Sequence, residues 1–99
     1  MARFDVSPNP DGNGYLLDVQ SDLLEQLNTR VVVPLMPLGD APEPAKRLNP
    51  VFTIDGTPHV MVTQFLAAVP TAQLPPPVVN VAERSGEVIN ALDMVFVGF

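Results

Sequence analysis

Apolar and polar residues alternate with a period of two at the start of the chain. Phe4 and Val6 alternate with Asp5 and Ser7, the pattern of a half-buried strand. The stretch PNPDGNG, residues 8–14, follows; Asp11-Gly12 and Asn13-Gly14 both favour positive φ, so it predicts a turn. Tyr15 to Val19 returns as the second strand of a hairpin. Gln20 to Asn28 reads as a loop or one helical turn, with Leu23, Leu24 and Leu27 on one side. Thr29 to Leu35, TRVVVPL, is the clearest strand. Its three successive valines suit burial on both faces, and Pro34 belongs near a strand end, where its missing N–H is not needed.

Residues 36–50 hold four prolines and a glycine and predict no regular element beyond a brief turn at AKRL. Val51 to Ile54 and His59 to Gln64 predict strands joined by a hairpin at Asp55-Gly56. A bend and a further strand continue to Leu74, where Pro75, Pro76 and Pro77 stop it, so the strands fall within residues 3–74. The period then changes. Val88, Ala91, Leu92, Val95, Phe96 and Phe99 fall at i, i+3, i+4, i+7, i+8 and i+11, one face of an α-helix over about 82–97. Ser85 is a candidate cap, Glu87 suits the first turn, and Gly98 is a natural terminator. Short strands followed by one helix predict an α+β, mainly β protein: a small antiparallel β-barrel with a C-terminal α-helix, forming one domain over residues 1–99.

The run Met94-Val95-Phe96-Val97 adds a second requirement. Four successive helical positions cover the whole circumference, so these side chains cannot all face one core. At least one points away, and exposed apolar groups gathered in one place mark an interface. The tail is therefore expected to be both core and contact surface.

Composition narrows the partner. With twelve prolines in 99 residues, helix cannot dominate. A formal charge of −6 weighs against nucleic acid, which needs a basic face, and favours a protein partner with a basic segment. The absence of cysteine excludes disulfides, thiolate metal sites and thiol nucleophiles. No secretory h-region and no apolar run near the ~20 residues of a membrane span occur, so a cytoplasmic protein is expected.

Candidate chemistry is sparse. His59 sits beside a hairpin turn without partners nearby in sequence and reads as a surface histidine. Ser7, Ser21 and Ser85 lie in no nucleophile motif. Asp18 and Asp22 read as surface charges or a turn cap as readily as an acid–base pair. Arg30, beside the valine strand, either pins a buried carboxylate or binds a phosphate, with the structural ion pair favoured. No metal or cofactor is expected.

The stretches LDVQSDLL, TRVVVPL, LNPVF, TQFLAAVP and ALDMVFVGF resemble, in this order and spacing, the CcdB family of type II toxins, from about Phe4 to Phe99. The resemblance implies an SH3-like barrel of the CcdB/MazF kind and a symmetric homodimer. It implies a toxin that traps the DNA gyrase A subunit by binding rather than catalysis, and neutralisation by a CcdA-like antitoxin. Carried over by position, the target contact would be made by Val97, Gly98 and Phe99, supported by Asp93 and Phe96, with Leu23 and Leu24 as a further apolar pair. Leu92 and Phe96 would lie near the dimer axis. The family pattern has a tryptophan where this chain has Val97, so an aromatic face for stacking on an arginine falls to Phe99. Two alternatives stand beside this one. In a MazF- or Kid-like mRNA endoribonuclease, Arg30, His59 or Arg3 would converge in a groove; the other is an inactive homologue with a shifted target.

Overall fold

The computed structural model describes residues 1–98. Phe99, assigned from the sequence to the helical face and to the target-contacting tail, lies outside them. The strands are β1 (Asp5–Pro8), β2 (Tyr15–Asp18), β3 (Thr29–Pro37), β4 (Val51–Ile54), β5 (Thr57–Met61), β6 (Ala67–Pro70) and β7 (Val79–Asn80), followed by the helix α1 (Ser85–Val97). Short 3-10 turns occur at Asp22–Leu24, Thr63–Phe65, Thr71–Gln73 and Ala82–Arg84. All strand pairs are antiparallel, in the order β4-β5-β3-β2-β1-β7, with β6 on β3. The result is a mainly β half-barrel with a C-terminal helix.

The valine-rich β3 is its spine. One edge pairs with β2, Asp18 opposite Val32 and Tyr15 opposite Leu35. The other edge is shared: β6 covers Thr29–Val32 and β5 covers Leu35–Pro37. Pro34 falls between these two partners, mid-strand rather than near an end. Its carbonyl accepts the Val62 N–H at 2.9 Å, and a strand residue's N–H and C=O point to the same side, so the absent N–H coincides with the gap between β6 and β5. The β4–β5 hairpin turns at Asp55 and Gly56, whose φ values of 52° and 76° are those of a two-residue hairpin loop.

Val6, Leu17, Val33, Leu35, Phe52, Ile54 and Met61 meet Val88 and Ala91 of α1 in the core. Burial of each larger side chain contributes about 1.5–3 kcal/mol. The helix lies where the period predicted it, but its buried face is narrower. Leu92 and Val95 are half-buried, and Phe96 is 69% exposed, so it is not part of the core. Ser85 is the first residue of α1 rather than its cap, and Arg84 occupies the N-cap without a side-chain cap bond. One turn earlier, ahead of the Ala82–Arg84 turn, Asn80 Oδ1 accepts the Ala82 N–H at 2.8 Å. β7 extends the sheet beyond residue 74, because Val81 N–H donates to the Phe4 carbonyl and Val78 N–H to that of Val6. Phe4 itself adopts φ 72° and precedes β1 rather than beginning it.

The half-barrel does not close by pairing: among the described residues β4 and β7 are not bonded to each other. A cleft of about 380 Å3 lined by Tyr15, Thr53, Ile54, Asp55, Val78 and Val79 lies there. Arg84 fastens the helix start to the open edge of β4. Its Nη1 donates to the Val51 carbonyl at 2.9 Å, and its guanidinium lies 4.0 Å from the centre of the Phe52 ring. Its Nε and Nη2 donate to Glu87 at 2.9 and 2.6 Å.

The hydrogen bond from Arg84 holds the Glu87 carboxyl below the usual carboxylate range, against a smaller opposing effect of burial. A carboxyl depressed on folding stabilises the protein above its unfolded pKa, and the gain is lost as pH falls through the folded value. Glu87 is 52% exposed, so solvent screening limits the pair to about 0.2–1 kcal/mol. Urea unfolding of Glu87→Gln is expected to show a deficit of that size at pH 7 that closes below about pH 4. A deficit constant across the titration would contradict this assignment.

Candidate functional site

Asp18 closes β2, Arg30 is the second residue of β3, and the hairpin register brings them together. Asp18 stands opposite Val32, and Arg30 is the diagonal neighbour two residues along on the same face. Both side chains are almost wholly buried, at 0% and 2% exposure. The guanidinium donates through Nε to Oδ2 at 2.6 Å and through Nη2 to Oδ1 at 2.9 Å. This fork raises the Arg30 pKa above its ordinary value. The expectation that Arg30 pins a buried carboxylate holds, and Asp18 is that carboxylate, not a surface charge.

The pair roots a second tier of bonds. Asp18 Oδ1 also accepts the Gln20 N–H at 3.0 Å. The Gln20 side chain then accepts the Val31 N–H at 3.1 Å and donates to the Leu24 carbonyl at 3.1 Å. Ser21 caps the Asp22–Leu24 turn by accepting the Leu23 N–H at 3.2 Å, and Asp22 Oδ1 accepts the Arg3 N–H at 2.9 Å. The short loop is thus held at its base, at its cap and from the N-terminal segment. What it holds outward is apolar: Leu23 is 93% exposed, Leu24 49% and Leu27 51%. The role of Gln20 was not foreseen; the signal available was its position opposite Arg30 if the β2–β3 ladder is continued past Asp18.

The second apolar group closes α1. Gly98 adopts φ 79° and donates its N–H to the Asp93 and Met94 carbonyls at 3.1 and 3.2 Å, so the helix ends where a glycine is needed. Val97 just before it is 60% exposed. Ile89, Leu92 and Phe96 share a stripe beside the buried Val88 and Ala91. Asp93 is exposed and is the last charged residue of the helix. The Leu23–Leu24 pair and the helix end stay on separate elements. α1 packs on the Thr63–Phe65 and Ala82–Arg84 turns and makes no comparable contact with Asp22–Leu24.

His59 is a correction. Rather than a surface residue it is buried, its Nδ1 2.8 Å from the Thr57 carbonyl and its ring edge-on to Tyr15 at 5.0 Å between centroids. Two of the three side chains considered for acid–base work, Arg30 and His59, are therefore held in structural contacts. No helix among the described residues is long and apolar enough to cross a membrane.

The polar network of this small antiparallel half-barrel is structural, and the large side chains it turns outward are apolar. The family model described as CcdB protein matches residues 3–98, and the chain belongs to the CcdB family.

Removing one member of a buried ion pair strands the other charge and costs about 3–5 kcal/mol. Asp18→Asn and Arg30→Met are each expected to lower urea stability by about that amount. The double variant should lose less than the sum by about 1–3 kcal/mol, as contacting groups do. Single losses below about 1 kcal/mol that add independently would remove the pair from its place in this account.

Proposed function

We propose that the chain is the toxin of a type II toxin–antitoxin module. It is a cytoplasmic homodimer of one domain over residues 1–99 that binds and inhibits the DNA gyrase A subunit through apolar C-terminal residues, and a CcdA-like antitoxin neutralises it. The observation that carries this reading is the exposure of large apolar side chains on ordered backbone: Leu23 at 93%, Phe96 at 69% and Val97 at 60%. A backbone already ordered in the free protein pays less ordering entropy on docking, so less of the burial energy is offset. Each is worth about 1.5–3 kcal/mol when fully covered.

Val97, Gly98 and Phe99 form the target contact in this reading, supported by Asp93 and Phe96. Leu23 and Leu24 supply a further apolar anchor. Leu92 and Phe96 face the second copy near a two-fold axis, which doubles the surface offered to a two-fold target. The net charge of −6 suits an antitoxin segment carrying basic residues. The action is by binding, not catalysis. The endoribonuclease alternative gains no support from Arg30, already paired with Asp18, or from the buried His59.

The purified protein is expected to bind the gyrase A subunit of its own host and to inhibit supercoiling. Leu23→Asp and Val97→Asp should each weaken binding at least about tenfold, or 1.4 kcal/mol, with the unfolding midpoint unchanged, because both side chains already face solvent. Deleting residues 97–99 should abolish growth arrest on induction. Failure of the intact protein to bind at tens of micromolar would refute the target, and full potency without residues 97–99 would refute the tail.

A further inference from the structure

We propose that Asn13-Gly14 is a site of spontaneous covalent modification, at which the loop between β1 and β2 converts Asn13 to aspartate and isoaspartate without an enzyme. The isoaspartyl form is then a substrate for a methyltransferase that esterifies isoaspartyl carboxylates. The inference stands apart from the proposed target and dimer.

The reaction joins two groups that are neighbours in the chain. The Gly14 backbone nitrogen, once it loses its proton to hydroxide, attacks Asn13 Cγ. The new N–Cγ bond closes a five-membered succinimide, and the Cγ–Nδ2 bond breaks as ammonia leaves with a proton from water. Water then opens the ring. Attack at Cγ gives aspartate. Attack at the Asn13 main-chain carbonyl gives isoaspartate, with Gly14 now joined through the former side chain. Either way an amide becomes a carboxylate, and a chain of net charge −6 gains one further negative charge.

The surroundings of the other asparagines oppose this step. Asn9 and Asn49 precede prolines, which have no N–H to lose. Asn28 and Asn80 precede Thr29 and Val81, whose branched side chains crowd the nitrogen. The Asn80 amide is also held, donating to the Arg3 carbonyl at 3.1 Å and to Asp5 Oδ1 at 2.9 Å. Asn90 lies inside α1, where the next N–H is engaged in the helix. Asn13 precedes glycine and is exposed. Among the described residues the loop has one side-chain hydrogen bond, from the Asp11 N–H to Asn9 Oδ1 at 2.9 Å, which leaves the Asn13 amide free. The Gly14 carbonyl accepts the Asn9 N–H at 3.0 Å, but the Gly14 N–H donates no hydrogen bond among the described residues.

The fold keeps this reactive pair in place. Gly14 adopts φ 90°, and a Cβ there would run into the Leu35 carbonyl, so the position requires glycine. The same lack of a side chain that seats the loop against β3 leaves the nitrogen open to Asn13 Cγ. The length of the loop supplies the freedom to close the ring: residues 9–14 lie between the paired Pro8 and Tyr15, and Asn13 is not held at positive φ. Asp55-Gly56 differs on both counts. It fills a two-residue turn between the paired Ile54 and Thr57 with both residues at positive φ, and a carboxylate is a poorer electrophile than an amide.

Peptide mapping by mass spectrometry tests the site. Incubated at mildly alkaline pH, the protein is expected to gain the one-dalton difference between an amide and an acid in the peptide that holds Asn13. The rate should rise with hydroxide concentration, while peptides holding Asn28, Asn80 and Asn90 keep their mass. The product should accept labelled methyl groups from an isoaspartate methyltransferase. Asn13→Gln, whose longer side chain would have to close a six-membered ring, should abolish both signals with the unfolding midpoint retained. The native rate should lie within about tenfold of the rate in urea, the factor that an added barrier of about 1.4 kcal/mol would impose. A native protein that keeps its mass over the interval in which the unfolded chain is converted would overturn the proposal, as would conversion at another asparagine first.

Discussion

The buried fork between Asp18 and Arg30 is the contact on which the remainder of the molecule depends. Two charges out of water cost several kcal/mol each unless they face each other with good geometry. A one-residue slip of β2 on β3 breaks this pairing, because it sends the two side chains to opposite faces of the sheet. The pair is thus a register lock as much as a source of stability. It also sets the direction of the loop that joins the two strands. Asp18 accepts the Gln20 N–H, Gln20 ties Val31 to Leu24, and the leucine turn leaves the sheet at a fixed angle.

A similar economy governs the other end of the chain. α1, of 13 residues, buries only Val88 and Ala91 fully, with Leu92 packed partly against the core. Arg84 adds a polar anchor at its start by joining Glu87, the Phe52 ring and the Val51 carbonyl. Gly98 fixes the other end through its left-handed backbone. Between these anchors the helix can leave Phe96 and Val97 largely in water without losing its place. Apolar groups held outward on an anchored frame are what a binding protein needs and what a self-contained core would have consumed.

Much of the architecture was legible because backbone chemistry is written locally. The Asp55-Gly56 hairpin, the valine strand, the helix from its 3.6-residue period and the Gly98 terminator all follow from residues near in sequence. β7 was not legible: Val79 and Asn80 form a strand only because β1 is there to receive them, after a run of prolines that reads as an end. The helical face was read too wide, since an all-apolar terminal turn does not say which of its sides is covered. Phe96 belongs to the outer side for that reason. Asp18 and His59 were misplaced in the same sense. A lone carboxylate or imidazole reads as solvated until its partner is known, and those partners, Arg30 and Tyr15, are 12 and 44 residues away. The fold class and family were recoverable; the distinction between a buried and a displayed side chain required the register.

The chain belongs to the CcdB family, and the working surface proposed for it comprises the leucine turn and the helix end. Amide hydrogen exchange of the whole protein, alone and with the gyrase A subunit of its host, tests that surface most directly. The account predicts that residues 22–28 and 94–98 gain protection on binding while β2, β3 and β5 keep the protection they have in the free protein. Protection appearing instead only along the cleft between β4 and β7, with both apolar groups exchanging as before, would contradict it.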